Sequence, residues 1–381
     1  MKNIYKLAIT IILPLILLST AIAAEEGKLV QQNSIKDENV LAKEYSNIGS
    51  SFLRLKKYQE AIENFNIAIK YSPSYAPAYN GKGMALDDLG KPLEAIENYD
   101  LAIKYNPHFA EAYNNKAVSY REYGKNEEAI ILCNLAIKYN PHFAEAYNNK
   151  GASLARLGQY EDAMENYDIA IKYSTSNATT YYNKGIALMR LGYIQEAIEN
   201  FDLAIKYRPN YAEAYHNKGL ALAFLMQLQK AIEHFDLAIK YDPSYLKTYC
   251  NKGYILSLLK RYSEAIESCN IAIKYDPNYA DIYYNKGMIL EKLGKHQEAV
   301  ENLDIAIKYK PNFAENYLEK GISLVSLGQY SKAKENFNLA IKYMPNLIAE
   351  YEATIKKLTE LNNSTIAKDY EQKLQILKQY S

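Results

Sequence analysis

The tripeptide Ile-Lys-Tyr occurs nine times in this chain of 381 residues, and successive copies are 34 residues apart. The tyrosines that end the nine copies are Tyr71, Tyr105, Tyr139, Tyr173, Tyr207, Tyr241, Tyr275, Tyr309 and Tyr343. A fixed period of this length is typical of stacked arrays, in which no single repeat can bury its own apolar face. The period therefore predicts a repeat array instead of separate globular domains, and it favours an interaction surface over an active site.

Small residues inside each repeat predict two helices that approach closely. Alanine fills two slots in every repeat, as Ala61 and Ala68 do in the first, and glycine fills a third slot in eight of the nine repeats. Small side chains allow interhelical distances at the short end of the usual range. A turn such as Leu157-Gly158 follows the first helix, because glycine tolerates the left-handed conformation that ends a helix. The second helix is predicted to end before a proline, which cannot continue it.

The prolines after the second helices fix the boundaries of the repeats. Aligning them gives nine repeats, at residues 42–75, 76–109, 110–143, 144–177, 178–211, 212–245, 246–279, 280–313 and 314–347. An asparagine with a glutamate three residues later predicts a cap for the next first helix, as in Asn210 with Glu213 and Asn312 with Glu315. Residues 348–381 keep only part of the pattern, so they are predicted to form a degenerate repeat or capping helices.

The pattern Tyr-x-Asn-Lys-Gly-x-x-Leu-x-x-Leu-Gly, followed by Glu-Ala-Ile and then by Ala-Ile-Lys-Tyr-x-Pro, resembles the tetratricopeptide repeat family. Tyrosine stands at the slot where that family usually has tryptophan, as Tyr45, Tyr79, Tyr113, Tyr147, Tyr181, Tyr215, Tyr249, Tyr283 and Tyr317. The resemblance covers residues 42–347. It implies an all-α fold, a right-handed superhelical solenoid of antiparallel helix pairs with nine repeats and C-terminal capping helices.

The first 23 residues, 1–23, are predicted to be a signal peptide. Lys2 and Lys6 flank the start of a nearly continuous apolar run, which ends in the Ala-x-Ala site that closes with Ala23. Cleavage there would place the mature protein in the periplasm or outside the cell, and an uncleaved segment would tether it to a membrane. No cysteine lies near the site, so a lipid anchor is not expected, and residues 24–41 are predicted to be a polar linker.

Charge and motif content argue against catalysis and against nucleic acid. Lysine plus arginine (45) and aspartate plus glutamate (44) nearly cancel, so no electrostatic signal for nucleic acid is present. None of the five histidines lies at metal-ligand spacing on one helix. His108 and His142 share a loop slot in adjacent repeats, which leaves a weak surface metal site as an alternative. The sequence predicts a protein that is not an enzyme and uses neither a cofactor nor a metal.

Three further features are predicted to serve packing or solubility. Cys133 and Cys269 occupy a slot that phenylalanine or tyrosine fills in other repeats, so they are predicted to be small core residues without a structural disulfide. Lysine fills the seventh slot in every repeat but the first, where its stem can cover apolar surface while its ammonium stays in water. Aspartates four residues before a lysine on the second helices predict surface ion pairs, at Asp100–Lys104, Asp168–Lys172, Asp202–Lys206, Asp236–Lys240 and Asp304–Lys308.

Asparagine at the sixth slot forms a ladder through six consecutive repeats, as Asn115, Asn149, Asn183, Asn217, Asn251 and Asn285. Gly81 and Glu319 interrupt the same slot in other repeats. The resemblance places this slot in the concave groove, and similar asparagines grip peptide backbone in related superhelices of glycosyltransferases that modify serine and threonine. An amide can pair with a peptide N–H and C=O at once. The alternative is that these asparagines only buttress neighbouring helices.

Apolar residues at other slots of the fifth to seventh repeats predict a groove patch, made of Tyr182, Ile186, Met189, Leu220, Phe224, Tyr254 and Leu258. Such a composition is typical of binding hot spots. Groove placement rests on the resemblance alone, and the alternative is that several of these residues simply pack between helices.

These features predict a non-enzymatic scaffold that binds an extended peptide or a partner's segment in the concave groove. An accessory factor of a cell-envelope or glycan-modifying enzyme, and a secreted effector directed at a host, remain alternatives. The identity of the partner does not follow from the sequence.

The turn at residues 174–178 differs from the other inter-repeat turns because Thr175 replaces the usual proline. Losing a proline gives the unfolded chain more freedom, which is worth roughly 0.4–1 kcal/mol. One hypothesis is a hinge that lets the groove open for a partner. The alternative is neutral drift in a turn that folds like the others.

Overall fold

The computed structural model describes residues 37–360 and 364–380, and the predicted signal peptide lies outside this part of the chain. The described residues form twenty α-helices and no strand. The helices are α1 (37–54), α2 (Tyr58–Tyr71), α3 (Ala76–Asp88), α4 (Pro92–Tyr105), α5 (Ala110–Glu122), α6 (Asn126–Tyr139), α7 (Ala144–Arg156), α8 (Tyr160–Tyr173), α9 (Ala178–Leu191), α10 (Ile194–Tyr207), α11 (Ala212–Phe224), α12 (Leu228–Tyr241), α13 (Leu246–Leu258), α14 (Tyr262–Tyr275), α15 (Ala280–Lys292), α16 (His296–Tyr309), α17 (Ala314–Ser326), α18 (Tyr330–Tyr343), α19 (Leu347–Glu360) and α20 (Ser364–Tyr380). None of these helices has the length and apolar content needed to cross a membrane.

The chain divides into two compact bodies, Met1–Ser176 and Asn177–Ser381, which we call the N-terminal array and the C-terminal array. Within each array, odd-numbered helices are the first helices of repeats and even-numbered helices are the second. Inside one array, each first helix packs against the second helix of its own repeat, and each second helix packs against the first helix that follows it in the same array. The predicted all-α architecture of paired helices is confirmed.

Glycine on the first helix lies directly under an aromatic ring from the second helix. A Cβ atom added to Gly219 would come within 2.7 Å of Cε1 of Phe235, and one added to Gly83 within 2.6 Å of Cε1 of Tyr99. Both rings are fully buried. Protein interiors are packed closely enough that even one extra methylene is felt. The glycine slot is therefore required by the ring opposite it.

Two repeats replace this ring with a cysteine, and there the demand for glycine disappears. Ala117 fills the glycine slot opposite Cys133, so a larger residue on α5 faces a smaller one on α6. Gly253 faces Cys269, and a Cβ there would have no neighbour nearer than 3.6 Å. All three cysteines of the chain are buried free thiols, including Cys250. The sizes of the residues at these two slots are coupled.

The tyrosine of each Ile-Lys-Tyr copy packs against the first-helix tyrosine of its own repeat. The ring centroids of Tyr79 and Tyr105 lie 5.4 Å apart, and the Tyr79 hydroxyl donates to the carbonyl of Pro73 at 3.0 Å. The other pairs are Tyr45–Tyr71, Tyr113–Tyr139, Tyr147–Tyr173, Tyr181–Tyr207, Tyr215–Tyr241, Tyr249–Tyr275, Tyr283–Tyr309 and Tyr317–Tyr343. The most regular motif of the sequence thus joins the two helices of each repeat.

The predicted ion pairs within the second helices are wrong in four repeats. Asp100 contacts Lys116 of the next first helix at 2.5 Å, while the Lys104 ammonium lies over the Tyr105 ring. The same pairing between repeats joins Asp202 to Lys218, Asp236 to Lys252, and Asp304 to Lys320. The reason is that the tyrosine ring holds the nearer lysine, whereas the seventh-slot lysine is partly buried beside the aspartate. Those seventh-slot lysines are therefore ion-paired between repeats, and their side chains are only 13–23% exposed.

The first helices do not begin with the predicted asparagine caps. Tyr211 and Phe313 stand at the cap positions of α11 and α17, and neither helix has a side-chain cap. Asn177 is different, since its side chain accepts from the backbone N–H groups of Thr179 and Thr180 at 3.0 and 3.2 Å. The turn without proline therefore has a capping residue instead. The boundary between the two arrays falls in this turn, and the hinge stays a prediction.

We expect Lys260→Gly to stabilise the chain by about 1 kcal/mol. Six turns between paired helices place glycine in the left-handed region, but Lys260 occupies it with φ of 60°. A residue with a Cβ is strained there, and glycine is not. Urea unfolding should show a higher midpoint for this variant. Gly294→Lys is the reciprocal control, because a Cβ at Gly294 would meet nothing within 4 Å and only backbone strain would act. A midpoint that does not rise for Lys260→Gly would contradict this account.

Candidate functional site

Asparagines of the predicted ladder bond to the preceding repeat. Within the N-terminal array, Nδ2 of Asn115 donates to Oδ1 of Asn80 at 3.0 Å, and Nδ2 of Asn149 donates to Oδ1 of Asn114 at 2.9 Å. In each case the partner stands at the fifth slot, 35 residues earlier in the chain. The ladder in this array therefore links consecutive repeats through their side chains.

The C-terminal array has the same geometry with different partners. Asn217 donates to the hydroxyl of Tyr182 at 3.1 Å, and the Asn251 amide lies 3.4 Å from Nε2 of His216. Burial raises the pKa of the Cys250 thiol to about 12, and the nearby Asn285 amide lowers it by less. These bonds agree with the buttressing alternative, since they engage the amide donors of Asn217 and Asn251. Asn183 is half-buried. Peptide binding by the ladder stays a prediction.

His216 is the one fifth-slot residue of the described repeats that carries an imidazole, and it is buried. Its Nδ1 lies 2.9 Å from the Thr248 hydroxyl, and its ring packs on Phe235 and Tyr245. Burial, with a smaller contribution from the nearby Lys247, lowers its pKa from 6.5 to about 4. The ring is therefore neutral near pH 7, which suits a donor at Nδ1 and an acceptor at Nε2.

An apolar cavity of about 660 Å³ opens on the first helices of the C-terminal array. Four residues of the predicted patch line it, namely Leu220, Phe224, Tyr254 and Leu258, together with Ala223, Leu225, Met226, Leu228, Asn251 and Ile255. Leu358 of α19 and Ile366 of α20 close the other side. The Phe224 side chain remains 49% exposed at the rim. The site offers apolar contact and very little polar chemistry.

The other three residues of the predicted patch are not part of this cavity. The Tyr182 ring packs on Tyr211 with centroids 4.9 Å apart, and its hydroxyl takes the bond from Asn217. Tyr182 therefore packs between helices, as the alternative held. Ile186 and Met189 are half-buried and do not line the cavity. The seven predicted residues therefore do not form one surface: four line the cavity and three do not.

The helix α20 lies against the first helices of the C-terminal array. Nζ of Lys373 contacts Oε1 of Glu319 on α17 at 2.6 Å, and Oδ1 of Asp369 contacts Nζ of Lys292 on α15 at 2.7 Å. Glu319 is only 3% exposed, and Leu377 of α20 is fully buried. Glu319, one of the two residues that interrupt the asparagine slot, therefore pairs with the C-terminal helix.

Attraction between opposite charges determines the direction in which the pKa values of Lys373 and Asp369 shift. Burial alone would lower the pKa of Lys373, but the Glu319 carboxylate, followed in order by Tyr284, Asp369 and Tyr351, raises it well above its ordinary value. Burial alone would raise the pKa of Asp369, but Lys373 and Lys292 lower it. The lysine and the aspartate of α20 are accordingly charged at neutral pH.

Metal binding finds no support in the described part of the chain, where no cluster of three or more His, Cys, Asp or Glu residues could hold an ion. His108 and His142 instead pack edge-on against Tyr139 and Tyr173. What the C-terminal array offers is a surface of apolar side chains flanked by paired charges. Such a surface suits binding.

Family models agree with this architecture. Models described as tetratricopeptide repeat match residues 47–103, 81–138, 132–165, 178–211, 212–245, 246–279, 280–313 and 314–347, and one described as TPR repeat matches residues 153–192. Together these matches run from residue 47 to residue 347. The chain belongs to the tetratricopeptide repeat family, whose members bind protein or peptide partners.

Solved structures share the fold at low identity. The APC/C hetero-tetramer Cut9–Hcn1 matches with 18% identity and a TM-score of 0.57, over 70% of this chain and 52% of that one. The chain thus spans about half the length of that relative. A tetratricopeptide repeat protein from Parabacteroides merdae matches with 18% identity and a TM-score of 0.52, over 68% of this chain and 98% of that one. PilF of Pseudomonas aeruginosa matches with 16% identity and a TM-score of 0.50, over 56% and 96%. No curated protein gives a significant match.

Proposed function

We propose that this chain is a non-enzymatic scaffold that holds a segment of a protein partner on the first-helix face of its C-terminal array. The observation that carries the proposal is the apolar cavity of about 660 Å³ lined by Leu220, Phe224, Tyr254 and Leu258. Membership of a family whose members bind protein or peptide partners supports it.

Exposed apolar side chains cluster at the mouth of this cavity. Phe224, Leu225 and Met226 are consecutive in sequence, and each leaves more than a third of its surface in water. Contiguous exposed apolar residues are typical of interaction sites, and aromatic residues in pockets are typical of hot spots. Because the chain is nearly neutral, we expect apolar contact to supply most of the affinity.

We also propose that the protein is exported and works in the periplasm or beyond. The motivation is the charged, apolar and Ala-x-Ala sequence of residues 1–23. N-terminal sequencing of the mature protein is expected to begin at Ala24. An intact Met1 on protein from the cytoplasmic fraction would contradict export.

The binding proposal predicts that Phe224→Asp abolishes recovery of the partner. The full-length chain serves as bait for a cell-envelope extract, beside Phe224→Asp and the matched control Leu93→Asp. Leu93 is 68% exposed on α4 and is not a cavity-lining residue. A carboxylate in the cavity must lose water without a partner, so we expect at least a tenfold loss of the bound protein for Phe224→Asp alone. Equal thermal unfolding of the two variants controls for folding.

The identity of the captured partner, and which variants still recover it, decide between the proposed function and its alternatives. A partner retained equally by both variants would overturn the proposal. A glycan-modifying enzyme recovered by wild type and lost with Phe224→Asp would favour the accessory role over a general scaffold. A partner found only in host extracts would favour the secreted effector.

A further inference from the structure

The C-terminal helix α20 presents opposite charges one turn apart to two different first helices. Asp369 meets Lys292 of α15, and Lys373 meets Glu319 of α17. The residue pairs are 77 and 54 positions apart in sequence, so no local repeat contact creates them. Two oppositely signed pairs fix both the position and the direction of a helix on this face.

The apolar seam of α20 runs along the helix from Ile366 to Tyr380, whose ring stacks on that of Tyr330. Leu374 and Leu377 are buried in the same cluster as Leu318 and Phe337, and Ile376 is partly buried there. Near the other end of the helix, Ile366 borders the large apolar cavity. An apolar seam beside paired charges is the pattern by which amphipathic helices bind in grooves.

The fit of α20 to this face is incomplete. A crevice of about 360 Å³ runs beside it, between Met288 and Ile322 on the array and Gln372 and Ile376 on the helix. A second crevice of about 260 Å³ lies between Glu315 and Tyr370. There Oε2 of Glu315 is buried without a hydrogen-bond partner. Packed interiors seldom leave such space, so a helix with larger or better placed side chains would fit more closely.

The ion pairs give α20 specificity more than stability. Taking two charges out of water costs free energy that their attraction offsets only in part. If α20 leaves, Glu319 and Lys373 both regain water, and no charge is left buried. Departure of α20 therefore loses chiefly its apolar seam, which a partner helix with the same apolar pattern would replace.

We propose that the face formed by α13, α15 and α17 is a docking site for an amphipathic helix, which α20 occupies in the free chain. The ligand is a partner's helix with an acidic residue and a lysine one turn apart, followed by leucines, as in Asp369, Lys373, Leu374 and Leu377. The proposal rests on the proposed function and specifies the partner's segment as a helix in place of an extended peptide. In the free chain α20 occupies the site of that ligand, and a partner's helix binds by displacing α20.

The test uses a fluorescent peptide of residues 364–380 and the full-length chain. In Lys373→Glu the tethered helix is repelled by Glu319, so the free peptide, which keeps its lysine, should bind at least tenfold more tightly than to wild type. Glu319→Lys should lose this binding and should instead accept a peptide with the Lys373→Glu exchange. Lys373→Gln removes the charge without repulsion and serves as a second, milder variant, and circular dichroism checks folding of all chains.

The outcomes separate the helix site from the general function. Absence of peptide binding to both Lys373 variants, or binding to Glu319→Lys as tight as binding to Lys373→Glu, would overturn the inference. If Lys373→Glu chains formed concentration-dependent dimers with wild type that the peptide could not dissociate, the occupant would be a second copy, which also overturns it. A partner captured through Phe224 without any peptide binding would leave the proposed function standing and remove the helix inference alone.

Discussion

Gly219→Ala is expected to destabilise the C-terminal array by about 1–3 kcal/mol, although alanine is the better helix former. The added Cβ would lie 2.7 Å from Cε1 of Phe235 and 3.2 Å from the carbonyl oxygen of Ala231. The ring is fully buried and cannot move into solvent. Thermal and urea unfolding should both show the lower free energy of unfolding. It is read from the whole curve if the chain unfolds in one transition, or from the transition of the C-terminal array if the two arrays unfold separately.

The matched variant Gly253→Ala should be neutral, or should stabilise by about 0.5–1 kcal/mol. It makes the same chemical change two helices along, opposite Cys269, where the nearest atom would be 3.6 Å away. In a Phe235→Cys background, Gly219→Ala should lose its cost, because that pair reproduces Ala117 opposite Cys133. Equal destabilisation by both glycine substitutions would disprove the coupling between these slots.

Lowering the pH from 7 to 4 is expected to remove about 3 kcal/mol of stability through His216 alone. Its pKa is about 4 in the folded chain, against 6.5 as the ordinary value. The unfolded chain therefore binds the proton more tightly between these values. The contribution of neutral His216 to the free energy of unfolding is fully present above pH 6.5, and it is lost as the pH falls from 6.5 towards 4.

The control is His216→Asn, which places at this site the residue that stands at the fifth slot in Asn80 and Asn114. Asparagine can still accept from Asn251, as those residues accept from Asn115 and Asn149, but it does not titrate. The free energy of unfolding, measured by urea at half-unit steps of pH, should fall less steeply for this variant between pH 6.5 and 4. Parallel curves for the two chains would show that His216 is not the group responsible.

Most of the fold could be predicted from the sequence, because each repeat contains its own local signals. The 34-residue period, the alanine and glycine slots and the prolines set helix type, pairing and boundaries. Their physical basis is short-range, since helix ends and close helix packing depend on residues a few positions apart. The packing of each Ile-Lys-Tyr tyrosine on the first-helix tyrosine of its repeat could not be predicted from such local signals. It depends on the directions in which the two side chains point.

The site was only partly predictable. Four of the seven proposed patch residues line one cavity, whereas Tyr182 forms a core contact that helical spacing alone does not distinguish from a groove position. The pairing of Asp100 with Lys116 was missed because an aspartate with two lysines in reach has no local signal that chooses between them. The placement of α20 depends on contacts with Lys292 and Glu319, far away in sequence. Glu319 in a slot otherwise rich in asparagine was the signal that could have pointed there.

The docking of α20 makes the accessibility of its binding face depend on time. Protein synthesis proceeds from the N-terminus at about 5–20 residues per second. Ser326 ends α17 and Ser364 begins α20, so 37 residues lie between the completed face and the helix that covers it, which corresponds to roughly 2–7 s. A partner that meets the chain before α20 is in place binds an open face without competition. A partner that arrives later must compete with a tethered helix at high local concentration, so the order of arrival, and not affinity alone, governs which helix is bound.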